Sequence, residues 1–362
     1  MIRKHSAVGL CVLAGTLVCA ACSSEDTSGT GGAGASNTGG TGGTHTGATG
    51  GTGATGGTGA TGNTGGSGNT GNTGGGPPIG NCAVFPGDNA WNTDISAFPV
   101  HANSDNFIDS IGRTTGMHAD FGTVWDGAPI GIPFVVVPGS QPPVPINFTA
   151  YGDESDPGPY PVPPDAPIEG GPSSDGDRHV LVVDGDNCVL YEMYRAFPQN
   201  GGASWDADSG AVWDLSSNAT RTIGWTSADA AGLPIFPGLA RYEEVVEQGA
   251  VNHALRFTVS QSQSGYVLPA THYASSNGDP NLPPMGLRLR MKASYDCSAL
   301  AAEVQVLCTA FKTYGLIVAD NGSDWFVSGA PNSSWSDDNL HDIDGITGDA
   351  FEVVDTGPVQ TY

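Results

Sequence analysis

Three histidines, at positions 179, 253 and 272, have side chains suited to acid–base chemistry. His179 and His253 lie in apolar, strand-like stretches, and His272 follows a proline in "PATHYAS". Imidazole accepts and donates protons near neutral pH, and Asp177 and Glu169 lie close enough in sequence to His179 to orient it. Histidines and a carboxylate also form transition-metal sites, but this spacing follows no metal-ligand motif. We take the five residues as catalytic candidates and name no metal ligand; histidines satisfied inside a core are the alternative.

A run of carboxylates in a proline-rich stretch indicates a carbohydrate cleft. Nine acidic residues fall within 34 positions, interrupted by seven prolines, and Tyr151 and Tyr160 lie among them. Glycosidases use carboxylates for proton transfer, and aromatic rings stack on sugars. An acidic surface without a ligand has the same composition. The acids are Asp153, Glu154, Asp156, Asp165, Glu169, Asp175, Asp177, Asp184 and Asp186.

The few cations of the chain are placed in a pattern that suggests binding. In "GLRLRMK", Arg288, Arg290 and Lys292 alternate with apolar residues, so a β-strand would present all three on one face. Arg256 also faces away from the apolar side of its own strand. If the two strands are neighbours, these four cations line a groove for an anionic, uronate-containing glycan. The alternative is that they balance the protein's own carboxylates across strands.

Several reaction classes are excluded by missing motifs. The domain contains no G-x-S-x-G, H-E-x-x-H, S-x-x-K or P-loop sequence. "DIDG" at 342–345 fails as an EF-hand, because that frame puts Leu340 and Phe351 where oxygen ligands belong. An irregular calcium site among the Asp side chains stays open, and no other cofactor is predicted.

The elements that would position these residues are mostly strands. Short β-branched or alternating runs, bounded by Pro, Gly, Asn and Asp, predict strands at 132–137, 145–151, 178–184, 188–196, 253–259, 287–293, 316–320 and 325–329. Apolar residues at helical spacing predict a helix at 298–315, and acids followed by a Gly predict another at 241–249. The pattern predicts a mainly antiparallel β-sandwich or jelly roll with two packed helices, with a closed β-barrel as the alternative.

The N-terminal residues predict the cellular location of the protein rather than part of its fold. Arg3 and Lys4 precede an apolar run that ends in Ala-Ala-Cys, which is typical of a lipoprotein signal peptide at 1–22 with lipidation at Cys22. Ordinary signal cleavage is the alternative. Residues 23–80, rich in Gly and Thr, have no apolar surface to bury and predict a disordered tether. A single globular β-rich domain is predicted for 81–362. We expect an extracytoplasmic, membrane-anchored protein on the outer membrane or cell surface.

Charge limits the partners. The chain has 12 Lys plus Arg against 37 Asp plus Glu, a formal net charge of −25. Loss of the signal removes two cations and gives −27. A surface this acidic repels nucleic acid and anionic lipid headgroups. We therefore expect no nucleic-acid partner, and we expect membrane contact only through the lipid anchor. An extracellular glycan and a monomeric state are expected.

Four cysteines of the predicted domain indicate two disulfides. Cys82, Cys188, Cys297 and Cys308 allow three connectivities. Cys297 can reach Cys308 only if it lies in the turn before the helix, because eleven helical residues rise about 16 Å. Cys82 with Cys188 would then fix the start of the domain onto a strand.

The stretches "HALRF", "PATHYAS", "PPMGLRLR" and "CTAFKTYGLIVADNGSDW" resemble a recurring arrangement in secreted bacterial proteins of unassigned activity. The resemblance covers most of residues 85–355 and implies a common extracellular domain. It supplies no catalytic residues.

Two functions follow as hypotheses. One is a carbohydrate-active hydrolase or lyase that acts on polysaccharide with the histidines and carboxylates named above. A lyase would need a base beside a cation-neutralised uronate. The other is a non-catalytic glycan-binding or surface-display module.

Overall fold

The computed structural model describes residues 79–80 and 82–362. The predicted signal peptide, Cys22 and nearly all of the predicted tether lie outside the described residues. Among the helices that are described, none is long and apolar enough to cross a membrane.

The described residues form fifteen strands and a few helices. The strands are β1 (His118–Asp120), β2 (Val124–Trp125), β3 (Ala128–Pro129), β4 (Phe134–Val137), β5 (Ile146–Phe148), β6 (Val180–Asp184), β7 (Val189–Tyr194), β8 (Phe197–Gln199), β9 (Ser204–Ala207), β10 (Ser209–Asp214), β11 (Leu255–Val259), β12 (Arg288–Met291), β13 (Leu316–Asn321), β14 (Phe326–Ser328) and β15 (Phe351–Val353). The α-helices are α1 (Ser104–Ile111), α2 (Ala302–Thr313) and α3 (Asp337–Leu340), and Glu243–Gln248 is a π-helix. Short 3₁₀ helices span Ala90–Asn92, Gly152–Glu154, Asn200–Gly202, Phe236–Gly238, His341–Gly345 and Gly348–Ala350.

The strands form four open sheets. A six-stranded sheet has the order β1-β14-β11-β13-β12-β15, and a four-stranded sheet has the order β10-β7-β6-β4. A three-stranded sheet, β5-β9-β8, and the β2–β3 hairpin complete the set. Each sheet ends in edge strands, so the described chain is a β-sandwich with a few helices rather than a closed barrel. The predicted mainly-β class is confirmed, although the pairs β1–β14, β4–β6, β5–β9 and β11–β13 are parallel.

Strand β6 shows why the sheets stack in layers. All five of its residues are buried, which is expected of a strand covered on both faces. Leu181 and Val183 join the large core, which also contains the six-stranded sheet, α1 and α2. Val180 and Val182 join a second core with Trp205 of β9. The four-stranded sheet is therefore the middle layer of the domain.

The helices follow the sequence pattern in part. The predicted helix at 298–315 is α2, with Val304, Leu307 and Phe311 buried. The predicted helix at 241–249 is the π-helix, which ends at Gly249 with a φ of +67°. Helix α1 was not predicted, because eight residues with only three large apolar side chains give a weak periodic signal.

Both disulfides of the favoured pairing are present. Cys82 is bonded to Cys188, and Cys297, in the turn before α2, is bonded to Cys308. Two disulfides indicate an oxidising, extracytoplasmic setting.

Candidate active site

A cleft opens where the six-stranded and four-stranded sheets meet. Its volume is about 250 Å³. Strand ends and four loops line it, and we refer to it as the central cleft. Its lining residues are Tyr151, Asp177, Tyr194, Ser209, Thr226, Ser227, Ala228, Asp229, Ala230, His272, Ala274, Asp320 and Asn321.

An ion pair forms the floor of the central cleft. Arg256 of β11 donates to both carboxylate oxygens of Asp229, from Nε at 3.0 Å and from Nη2 at 2.8 Å. Its Nη1 donates to the Ser328 hydroxyl at 2.5 Å. Asp229 and Arg256 are 2% and 4% exposed, so they form a fixed pair rather than a surface contact. A bidentate pair of this kind orients both groups strongly.

A β-bulge in β13 directs Asp320 towards this pair. Phe257 lies opposite Val318, but Thr258 lies opposite Asp320, so Ala319 is an extra residue in the strand. Thr258 shares its sheet face with Arg256, because alternate residues of a strand point the same way. Without the bulge, Asp320 would share the face of Phe257, which is buried in the core. Bulges commonly redirect a side chain beside an active site.

The Asp320 carboxyl is poised to hold a proton near neutral pH. Burial and then the charge of Asp229 raise its pKa from 3.8 to about 7, against the opposing charge of Arg256. Its Oδ1 accepts a hydrogen bond from the Asn321 backbone N–H at 2.7 Å. A half-buried carboxyl that is still protonated near pH 7 can act as a general acid.

Glu169 and His179 form a second ion pair behind the cleft wall. His179 Nδ1 lies 2.6 Å from Glu169 Oε2, and Nε2 lies 3.0 Å from the carbonyl oxygen of Ala228. Burial alone would lower the His179 pKa, but the Glu169 charge and hydrogen bond raise it to about 9. With an acceptor at each ring nitrogen, His179 is an imidazolium that donates twice. It orients the Ala228 segment and has no lone pair for a general base.

His272 is placed differently. Its Nδ1 lies 2.7 Å from the carbonyl oxygen of Ala230, which can only accept, so Nδ1 carries a hydrogen. Nε2 has no hydrogen-bond partner within residues 82–362. The ring is half-buried and stacks near Tyr273 and Tyr362. His272 therefore presents a ring nitrogen for contact with a ligand in the central cleft.

Two more polar residues complete the cleft wall. Asp177 is exposed and lines the cavity. Tyr194 at the end of β7 is half-buried, and burial and then the charge of Asp177 raise its pKa to about 12. The Tyr194 hydroxyl is thus a stable hydrogen-bond donor at neutral pH.

His253 contacts a different set of residues from His179 and His272. Its Nε2 is 3.1 Å from Glu244 Oε2, and its Nδ1 is 2.8 Å from the Ala254 carbonyl oxygen. Glu244 also accepts from Arg241 at 2.6 Å, and all three side chains are buried. This network joins the π-helix to β11, and none of its members lines the central cleft. Of the three predicted histidines, His272 lines the central cleft, and His179 lies behind its wall.

The predicted cation groove does not bring its members together at a ligand surface. Arg288 donates to the carbonyl oxygens of Ala90, Thr93 and Tyr314. Arg290 donates to carbonyls at positions 95, 96 and 98 and pairs with Glu352 at 2.8 Å. Lys292 donates to the carbonyl oxygen of Asp349. Arg256 is in the cleft floor. Backbone carbonyls, which neither hypothesis considered, are the main partners of this strand's cations.

We expect the double change Arg288→Gln and Arg290→Gln to lower the free energy of unfolding by about 3–6 kcal/mol, because hydrogen bonds to charged groups contribute about 1.5–3 kcal/mol each. Arg288 is 5% exposed, and this burial lowers its pKa to about 9. Chemical denaturation would measure the loss. Lys292→Gln is the matched control, since its exposed contact predicts a change below about 1 kcal/mol. Unchanged stability of the double variant, together with loss of binding to a polyuronate, would instead support the predicted anion-binding groove.

No family model, curated protein or solved structure matches this chain. Function is therefore argued from the geometry of the site. Within the described residues, no group of three or more His, Cys, Asp or Glu side chains is arranged to hold a metal ion.

Asp229, Asp320 and the pairing of Arg256 with Asp229 were not predicted from the sequence. One signal was present for Asp320. It is the first charged residue after the apolar run "LIVA", and a polar residue at a strand end is a common position for a functional side chain. Asp229 lies in a loop of small residues, where no pattern distinguishes it.

Proposed function

We propose that the domain is a glycoside hydrolase that cleaves a neutral polysaccharide, with Asp320 as general acid and Asp177 as the second carboxylate. The observation that carries this proposal is that both carboxyl groups line one cavity, with the first held in a protonated environment. Glycosidases use such a pair, one carboxyl donating a proton and the other acting on water or on the sugar carbon.

The charge of the cleft favours a neutral substrate. Among the lining residues in the described part of the chain there is no Lys or Arg. Arg256 and the His179 imidazolium lie behind the lining and are already paired with Asp229 and Glu169. A uronate would meet carboxylates without a free cation, and a lyase needs that cation to stabilise the enolate. The hydrolase is therefore favoured over the lyase.

Each side chain has a definite task in this mechanism. Asp320 gives its proton to the glycosidic oxygen as the bond to the sugar carbon breaks. Asp177, on the exposed side of the cleft, activates a water molecule or attacks that carbon. Tyr194 and His272 are placed to hydrogen-bond sugar hydroxyls. The Asp229–Arg256 pair keeps the floor rigid, and the charge of Asp229 helps to keep the proton on Asp320.

The cellular location predicted from the sequence fits a polysaccharide hydrolase. A lipid anchor at Cys22 and a long tether would hold the domain at the cell surface, where polysaccharides are found. The resemblance to secreted bacterial proteins stays part of the same proposal.

The test is a screen of the purified protein on neutral and uronic polysaccharides. New reducing ends from neutral polymers, without ultraviolet absorbance from unsaturated ends, are the expected result. Unsaturated products would mean a lyase. Retention on a polysaccharide gel without any cleavage would mean a binding module.

A further inference from the structure

A second and larger cavity lies beside the edge strand β1. Its volume is about 590 Å³, within the range of ligand sites in proteins. Strand β1, the β2–β3 hairpin, β14 and helix α3 with His341 after it form its walls. The lining is largely apolar, with a few polar side chains: His118, Ala119, Asp120, Phe121, Val124, Trp125, Ile130, Phe326, Asp337, Leu340 and His341.

An exposed tryptophan overhangs this cavity. Trp125 is 75% exposed, and its neighbour Val124 is 58% exposed. Of the other six tryptophans, those at 91, 205, 213, 325 and 335 are at most 6% exposed, and Trp225 is half-buried. Val124 and Trp125 together form an exposed apolar patch at this cavity, and such patches mark interaction or ligand-binding sites.

The hairpin that carries Trp125 is held in place. Asp126 and Gly127 both have positive φ, at +49° and +82°, which fits the two-residue turn that matches strand twist. Asp337 of α3 accepts from the Thr123 N–H at 2.9 Å and from the Thr123 hydroxyl. The hairpin that carries Trp125 is therefore fixed by its turn and by the Asp337 hydrogen bonds, as an aromatic ring that stacks on a ligand requires.

The opposite wall offers a second ring surface with polar groups beside it. The His118 ring lies 4.3 Å from the Phe326 ring. Asp120 and His341 also line the cavity. A sugar ring has apolar C–H faces and polar hydroxyl edges, so it suits a site with aromatic walls and carboxylate or imidazole groups at the side.

One row of side chains connects this cavity to the central cleft. Asp120 of β1 lies opposite Ser328 of β14. The Ser328 hydroxyl accepts from Arg256, and Arg256 binds Asp229, which lines the central cleft. The connection is also electrostatic, since burial and then the charge of Glu169 raise the pKa of Asp120. The two cavities are neighbours along the same sheet face.

We infer that the cavity beneath Trp125 is a distal subsite, which binds a sugar unit of the same neutral polysaccharide that is cleaved in the central cleft. This inference rests on the proposed function. A chain held at both places would be positioned for cleavage within the polymer rather than at its end.

The test compares Trp125→Ala with Trp125→Phe and with Val246→Ala, an exposed apolar residue of the π-helix that lines neither cavity. Retardation in native gels containing the polysaccharide measures affinity without requiring cleavage. We expect Trp125→Ala to weaken binding about tenfold, Trp125→Phe to retain most of it, and Val246→Ala to match the wild type. Cleavage of the polymer should fall in Trp125→Ala and stay at the wild-type rate in Val246→Ala.

Two results would overturn the subsite. One is unchanged retardation of Trp125→Ala. The other is a wild-type dimer that this variant converts to monomer in gel filtration, because Trp125 would then cover a second copy of the chain. Failure of the proposed function looks different, since the wild type would bind the polymer and release no reducing ends.

Discussion

Asp320→Asn is expected to reduce polysaccharide cleavage by about 10²–10⁴-fold, the usual contribution of a general acid. The amide fills the same space and cannot give up a proton to the leaving oxygen. The rate of the wild type should fall above pH 7, because the pKa of the Asp320 carboxyl is about 7 and only the protonated form donates. Initial rates across pH 5–9 on the polymer identified in the screen would measure both effects.

The same variant should be more stable than the wild type in alkaline solution. The folded-state pKa of Asp320 lies above its ordinary value of 3.8, so folding favours the protonated form. The stabilisation is fully present below about pH 4 and is lost as pH rises through about 7. Above pH 7 the half-buried carboxylate opposes folding. An uncharged Asn removes that penalty, which predicts a gain of about 1–3 kcal/mol at pH 8 and little change at pH 4.

Asp165→Asn is the matched control, because Asp165 is exposed and does not line the central cleft. Its activity and melting temperature should equal those of the wild type at every pH. An active Asp320→Asn enzyme with an unchanged alkaline limb would assign the proton donor to another residue.

Asp229→Asn is expected to lower the free energy of unfolding by about 3–5 kcal/mol, because it leaves a buried guanidinium without its counter-charge. Arg256 has three nitrogens engaged, two of them with this carboxylate. The Asn amide keeps one oxygen that can accept a hydrogen bond. Its NH2 group takes the place of the second oxygen and faces a donor nitrogen of Arg256. Urea denaturation at pH 7 would give the difference directly.

Removing both charges separates electrostatics from packing. Replacement of a buried ion pair by apolar residues of similar volume is often neutral. We therefore expect the double variant Asp229→Leu with Arg256→Met to recover most of the lost stability. Arg113→Ala is the matched control, since Arg113 forms ion pairs with the exposed carboxylates of Asp105 and Asp109 and its loss should change stability by about 0–1 kcal/mol. Equal losses in the buried and the surface variants would contradict a specific role for the floor pair.

Local pattern was enough to predict much of the framework. The eight predicted strands all contain observed strands, because apolar runs bounded by turn residues fix the local conformation. Cys297 pairs with Cys308 from a position before α2, which is the condition that the helix rise sets for this pairing. The strand from 178 was placed slightly too early, since Arg178 has a φ of +51° and β6 begins at Val180.

The site itself depended on tertiary contacts that no local pattern carries. Asp229 and Arg256 are 27 residues apart in sequence. The role of His179 depended on which acceptors its two nitrogens meet, and one of these is a backbone carbonyl 49 residues away. Arg288 was assigned to a ligand or to carboxylates, but its main partners are carbonyl oxygens of a segment nearly 200 residues earlier. Every residue has a backbone carbonyl, so the amino-acid composition does not indicate which carbonyls will accept hydrogen bonds from an arginine.

The extra residue in β13 also has an evolutionary meaning. Ala319 has a methyl side chain, and its contribution is its place in the chain rather than its chemistry. If Ala319 paired regularly with Thr258, Asp320 would lie opposite Val259 and turn towards the core, since a shift of one residue exchanges the two faces of a strand. A relative could thus keep every acidic residue of the proposed site and still lose the site through a change in strand register.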